Sequence, residues 1–341
     1  MSLEQPVLWL GLAGFTPEQS KRLEVLLAQL PKGLAAWQGG AFSEADAWLV
    51  SGEKCRLLSA DTLKVLAGRP TERTLQLNLS EVDRPIAFSL PLASSDLDPM
   101  YSFDAASASS LHRMLQQIEV RLRSLCCQFV LGGQLIARES QLLPGIYQVS
   151  HKGTLLAVMD FHEWRIGISP DAEPQDFELA RWDRRPMAAR GVPAHFLPNS
   201  LSQLRWIYAQ RTRRDVLPPR YRSKPVYFRR APDVPLRWLR DSQLLLLRAL
   251  SQEVSTFDRL QQRTGLSPAQ LTRDLASLYF AGSITTTPDK AGTASFGSLD
   301  VTAGSAADGA ALLAAAASPG APAQPRAVAV DPTVPAQLRR K

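Results

Sequence analysis

The chain opens on an apolar run, residues 6–13 (PVLWLGLA), which predicts a buried strand. Thr16-Pro17-Glu18-Gln19 follows, with a hydroxyl for the N-cap, proline at the first helical position and acid in the first turn. Leu23, Leu26, Leu27 and Leu30 then supply the apolar stripe of a helix. The pattern predicts short strands over 33–38 and 45–50, a helix over about 60–67, an alternating strand over 74–79 and another strand over 85–90. A long helix begins near Ser109, with Leu111, Leu115, Ile118, Leu122, Leu125 and Phe129 at helical spacing, and Gly132-Gly133 is its expected break or bend. Strands alternating with helices imply a mostly parallel sheet with helices on its faces.

The middle of the chain changes style. Residues 145–150, 154–160 and 163–169 read as a three-stranded meander, turning at His151-Lys152-Gly153 and Asp160-Phe161-His162. A helix over about 200–211 follows, with Leu204, Ile207 and Tyr208 inward, and then a loop-like basic stretch over 211–230 containing Pro218, Pro219 and Pro225. From Asp241 the pattern is helical again, and after Thr287 it stops. Residues 288–341 are rich in Ala, Gly, Pro, Ser and Thr, a composition that predicts disorder because little apolar burial offsets the entropy of ordering.

Three short helices fit 241–280. Asp241 is placed to cap the first, which carries Leu244, Leu245, Leu247 and Leu250. The second opens with Ser255-Thr256-Phe257-Asp258 and buries Phe257 and Leu260. Thr264-Gly265 makes the turn, and Ser267-Pro268-Ala269-Gln270 opens the third helix as a capping box. Leu271, Leu275 and Leu278 would put one face of that helix on the core, leaving Gln270, Arg273, Asp274 and Ser277 on the other. The β-branched run 283–287 suits a wing strand. The segment RTGLSPAQLTRDLASLYFAGSI resembles the winged helix-turn-helix families of bacterial transcription regulators, over about 50 of the 341 residues. The resemblance implies major-groove reading by the third helix, with Gln270, Arg273 and Ser277 at base edges. Against that, the face carries a single cation and the wing has no Lys or Arg.

The element order over 6–130 resembles a response-regulator receiver with one helix reduced to a loop. Such a domain would need an acidic pair after its first strand, an Asp ending its third and a Lys-Pro after its last. Here those places read Ala13-Gly14-Phe15, Leu49-Val50-Ser51-Gly52 and Ser89-Leu90-Pro91, and Asp46 lies at the opposite end of its strand. The implied domain is a degenerate receiver used for docking or dimerisation. The expected architecture is therefore α/β plus α+β: a receiver-like domain over 1–138, a small antiparallel α+β domain with the basic segment over 139–235, a winged helix-turn-helix over 236–287 and a disordered tail over 288–341.

Charge sharpens this picture in one place. Between positions 205 and 240 stand eleven Lys/Arg against two Asp, a local surplus larger than the net +7 of the whole chain. Arg211, Arg213, Arg214, Arg220, Arg222, Lys224, Arg229 and Arg230 interleave with Tyr208, Tyr221, Tyr227 and Phe228, which suits phosphate contacts in a nucleic-acid complex or, equally, a solvated linker anchored by its aromatics. Catalytic signals do not develop. The four His are scattered, Cys126-Cys127 continue an apolar helix face, and no G-x-G-x-x-G, Walker, G-x-S-x-G or PilZ-type arginine-plus-D-x-S-x-x-G pattern occurs. Three cysteines form no disulfide framework, and the N-terminal apolar run lacks the preceding cation of a signal peptide. The expectation is a cytoplasmic, non-enzymatic regulator with no cofactor, metal site or membrane span. It would bind double-stranded DNA through the winged helix, with a signalling adaptor that docks protein partners as the alternative and a homodimer as a possible form.

Overall fold

The computed structural model describes residues 4–31, 33–70, 72–94, 96–186 and 191–292. The first unit runs β1 (Val7–Ala13), α1 (Pro17–Gln29), β2 (Ala36–Gly40), β3 (Ala47–Ser51), β4 (Cys55–Ser59), β5 (Thr62–Val65), β6 (Leu75–Asn78), β7 (Ile86–Leu90), β8 (Tyr101–Asp104) and α2 (Ala108–Arg121). Thr16 caps α1 as its spacing requires: its hydroxyl accepts from Gln19 N at 3.2 Å and the Gln19 amide oxygen accepts from Thr16 N at 2.9 Å. The main sheet is parallel throughout, in the order β2-β1-β3-β7-β8. Counting only its own strands this is 2-1-3-4-5, one of the two common doubly wound orders. Leu23 of α1 and Leu111, Met114, Leu115 and Ile118 of α2 cover one face, against Leu10, Ala47, Leu49, Ala87 and Phe103.

The second face departs from expectation. Residues 60–67 form no helix; β4, β5 and β6 make a small antiparallel sheet there. Leu63 and Val65, two apart, join Cys55 and Leu77 in packing on Ala13, Val50 and Phe88 of the main sheet. A short apolar run satisfies a period of two as readily as one of 3.6, and the need to cover this face decides for strands. The 74–79 strand accordingly belongs to the small sheet, and the fifth parallel strand is β8, which the sequence pattern left out.

α2 stops at Leu122 (φ −89°, ψ 8°) and α3 (Arg123–Ala137) carries the chain into a second core. Then follow β9 (Ile146–His151), β10 (Thr154–Asp160), β11 (Arg165–Ile168), β12 (Arg181–Arg184), β13 (Leu197–Ser200) and α4 (Leu201–Arg211). The five strands form an antiparallel sheet, β12-β9-β10-β11-β13, with Lys152 and Gly153 at positive φ in the tight turn between β9 and β10. α3 and α4 pack together on one face. Gly132 and Gly133 serve this contact and do not break the helix: a Cβ on Gly132 would lie 2.5 Å from Leu204 O, and one on Gly133 would lie 2.6 Å from the Tyr208 ring.

The third unit comprises α5 (Arg220–Ser223), β14 (Tyr227–Phe228), α6 (Asp241–Gln252), α7 (Phe257–Thr264), α8 (Pro268–Phe280) and β15 (Ile284–Thr285). Thr256 and Ser267 cap α7 and α8, and Gly265 takes φ 67° in the turn between them. Asp241 is the first residue of α6 and Arg240 its cap. The basic stretch is more than a loop. Tyr221 of α5 is buried and donates to Ile284 O at 3.2 Å, Val226 bridges Ser255, and β14 pairs antiparallel with β15. The expected wing strand thus finds its partner upstream, and among the described residues no later strand pairs with it. Residues 288–290 make a 3₁₀ turn, while the tail from 293 onward, expected to be disordered, lies outside the described residues.

Candidate interdomain site

In doubly wound sheets ligands bind at the carboxyl ends of the strands, where strand order reverses. Here backbone closes over the ends of β1 and β3, while a cavity remains beside the ends of β1 and β2. Gly52 N donates to Ser89 Oγ at 3.2 Å, and a Cβ on Gly52 would lie 2.0 Å from Ser89 O. A Cβ on Gly68 would lie 2.1 Å from Phe15 O, so the chain after β5 closes down on the β1–α1 turn. Among the described residues no three His, Cys, Asp or Glu side chains group closely enough to hold a metal ion. The thiols are core groups: Cys55 donates to Ser51 O and Cys127 to Ala172 O. Burial pushes Cys55 and Cys126 up to about 12 and Cys127 higher still, far from the thiolate state that thiol chemistry needs.

Charged groups converge elsewhere, around Trp9 on β1. The guanidinium carbons of Arg240, Arg273 and Arg211 lie 4.3, 5.7 and 5.9 Å from the indole centre. The first domain answers these cations with acid. Asp46 accepts from Trp9 N at 2.9 Å and pairs with Arg211 at 2.5 Å, and Glu44 reaches Arg240 at 3.5 Å. Glu4 accepts from Tyr208 Oη at 2.8 Å and Thr212 Oγ1 at 2.6 Å, and pairs with Arg214 at 3.1 Å. Behind them Asp274 of α8 is fully buried and accepts from Gln243 Nε2 at 3.2 Å. Burial raises its pKa to about 6, with Arg240 and Arg273 pulling the other way.

Part of the expected reading face of α8 is buried in this arrangement. Ser277 is fully buried: it accepts from Gln210 Nε2 at 2.7 Å and donates to Arg273 O at 2.9 Å. Asp274 also turns inward, Arg273 lies half-buried against Trp9, and Gln270 is half-buried in the first turn. The cause is packing. α8 packs along α4 through Ala276 and Ser277, so Ser277 is withdrawn from the surface while Gln270 and Arg273 stay partly exposed. Of the eight expected phosphate contacts, Arg211 is likewise turned inward, 15% exposed and paired with Asp46. Arg213, Arg214, Arg220, Arg222, Lys224, Arg229 and Arg230 are exposed. Arg214 pairs with Glu4, Arg222 with Asp215, and Arg220 lies over Tyr221 and Tyr279.

The residues that sequence reasoning missed are Trp9, Glu4, Glu44, Asp46, Gln210 and Arg240. One signal for them existed: acids scattered along the N-terminal segment of a chain whose only strong surplus of charge lies at 205–240. Between Val7 and Trp9 of β1, the end of α4 and the start of α8 this junction leaves a groove of about 490 Å³. A second cavity of about 310 Å³ lies beside α1, lined by Ser20, Glu24, Arg69 and Glu72 among others. Compared with protein-family models, curated proteins and solved structures, the chain finds no match.

Proposed function

We propose that the protein is a non-enzymatic regulatory adaptor, built from a degenerate receiver-like domain, an α+β middle domain and a helix-turn-helix used for protein docking. The observation that carries this reading is the position of α8, whose would-be reading face is partly covered, Ser277 by Gln210 of α4 and Arg273 by Trp9 of the first domain. A helix that enters the major groove must expose that face. The backbone closed over the ends of β1 and β3 in the first domain supports docking over phosphoryl chemistry for that unit. Among the described residues no helix is long and apolar enough to cross a membrane.

A second reading keeps DNA as the partner and takes the present arrangement as its closed state. Its support is the exposed set Arg213, Arg220, Arg222, Lys224, Arg229 and Arg230 around β14 and β15, which would hold phosphates once α8 is released. Selection from a random duplex pool, followed by anisotropy titrations at several salt concentrations, separates the two. The adaptor reading predicts weak, steeply salt-dependent binding without sequence preference, unchanged by Gln270→Ala or Arg273→Ala. A selected sequence whose affinity falls with Arg273→Ala and rises when the Trp9 junction is opened would overturn it in favour of the closed DNA regulator.

A further inference from the structure

The groove between β1, α4 and α8 is lined by four arginines, Arg213, Arg214, Arg222 and Arg273, and one acid, Asp215. Asp215 pairs with Arg222, and Glu4 pairs with Arg214. Arg213 and Arg273 have no carboxylate within ion-pair distance among the described residues, and the buried Asp274 acts on Arg273 only at longer range, so both cations are left for an anion in the groove. The first turn of α8, at Pro268 and Ala269, opens onto the same space, and a helix N-terminus adds to the attraction for an anion.

Gln210, on the groove's α4 side, is only 3% exposed and lines the floor. Ser277 gives its own hydroxyl proton to Arg273 O, so it must accept from Gln210 Nε2, and this fixes which way the amide points. The amide oxygen, Oε1, is left buried without any partner. This acceptor is closed off from the groove as well as from the protein, so it lies beneath the floor and offers a ligand no contact. The remaining walls are small or apolar: Ala209, Val216, Ala269 and Ala276 leave the space open. The cavity beside α1, by contrast, sets Glu24 and Glu72 against Arg69 and has no surplus of cations.

We propose that this groove binds a small phosphomonoester: a dianionic phosphate held by Arg213 and Arg273, with its organic group against the small and apolar walls at Ala209, Val216 and Ala276. Two charges match a dianion, arginine suits phosphate oxygens, and about 490 Å³ falls in the ordinary range for a small-molecule site. The ligand would touch α4, α8 and the edge of β1 together, so it binds the arrangement in which α8 is held against the first domain and stabilises it. The groove exists only while α8 is held against the first domain, so on the DNA reading the same ligand would favour the closed state.

The test is calorimetric titration of the full chain with inorganic phosphate, ribose 5-phosphate and adenosine 5′-monophosphate, together with amide exchange of α8 at saturating ligand. At least one organic phosphate should bind saturably and more tightly than inorganic phosphate, and should slow exchange in α8. Arg213→Glu, at an exposed position, should weaken that binding by about tenfold or more. Thr272→Glu, half-buried on the α8 wall, should do the same, whereas Arg248→Glu on α6 should change nothing. Binding of the nucleotide alone identifies the organic group as a nucleoside, and equal binding of both organic phosphates identifies the sugar phosphate as sufficient. No saturable binding, equal binding of inorganic phosphate, or binding indifferent to Arg213→Glu overturns the assignment.

Discussion

Asp46 opposes Arg211 across the junction between the first domain and the end of α4, with the two side chains 9% and 15% exposed. Asp46→Asn keeps an oxygen for Trp9 N–H but turns its amide NH2 toward Arg211, removing both the charge and the acceptor that Arg211 uses. It leaves Arg211 in a site where little water can replace the lost partner and where its Nε already has none. Two unit charges about 4 Å apart interact by about 4 kcal/mol at the effective dielectric of a partly buried site. Removing one member of a buried pair costs about 3–5 kcal/mol, and the residual exposure here places the expected loss near the lower end, about 3 kcal/mol. Arg211→Met, which keeps the aliphatic stem, should lose a similar amount by stranding Asp46. The double variant should lose about 2 kcal/mol less than the sum, because neither charge is then left alone. Urea titrations read by tryptophan fluorescence and by far-ultraviolet circular dichroism measure this, two probes being needed because several cores need not unfold together. Losses that add to within about 0.5 kcal/mol would refute the claim that these two residues hold the junction as a pair.

Two further predictions use the same packing. Asp274 has a folded-state pKa of about 6 against an ordinary 3.8, so the folded protein holds this proton more tightly than the unfolded chain. The stability it contributes is complete below about pH 4, is lost as pH rises to about 6 and is flat above, roughly 3 kcal/mol in all. Asp274→Asn should flatten that part of the stability–pH curve, and an unchanged slope in the variant would reject the assignment. Gly132→Ala would place a Cβ 2.5 Å from Leu204 O and should force α3 and α4 apart, costing about 2 kcal/mol despite alanine's better helix propensity. Thermal unfolding reads this as a lowered Tm, and a raised Tm would show that the helices have room to give.

Elements stabilised by their own sequence were legible. Thr16 and Ser267 announce helix starts through their side chains, and the β9–β10 turn is marked by Lys152-Gly153, so these boundaries follow from local chemistry. Elements fixed by distant partners were not. Residues 62–65 become a strand because the second face of the parallel sheet needs covering, and β8 has only Tyr101 and Phe103 to mark it. β14 lies in a proline-flanked basic stretch and is defined by its pairing with β15. The candidate site was the least legible part, since Glu4, Asp46, Arg211, Arg240 and Arg273 are far apart in sequence and meet only when three units pack.

α8 shows why a motif can be read correctly as a helix and misread as a surface. Leu271, Leu275 and Leu278 define its first buried face, and the usual inference assigns everything opposite to solvent. But Ala276 and Ser277 on that opposite side are buried, while Ala269 and Thr272 a turn earlier line the open groove, and small residues at 276 and 277 let another helix approach. α4 does so, offering Ala209 and Gln210 in the matching position. A recognition helix needs long polar side chains along the whole of that stripe, because base edges lie deep in the groove. A stripe of small residues with one arginine and one buried acid fits a protein neighbour instead. The physical meaning of Asp274 follows from the same placement: beside Arg273 on an exposed helix it would weaken DNA binding for no gain. Buried under Arg240 and bonded to Gln243 of α6, it ties the third helix to the first.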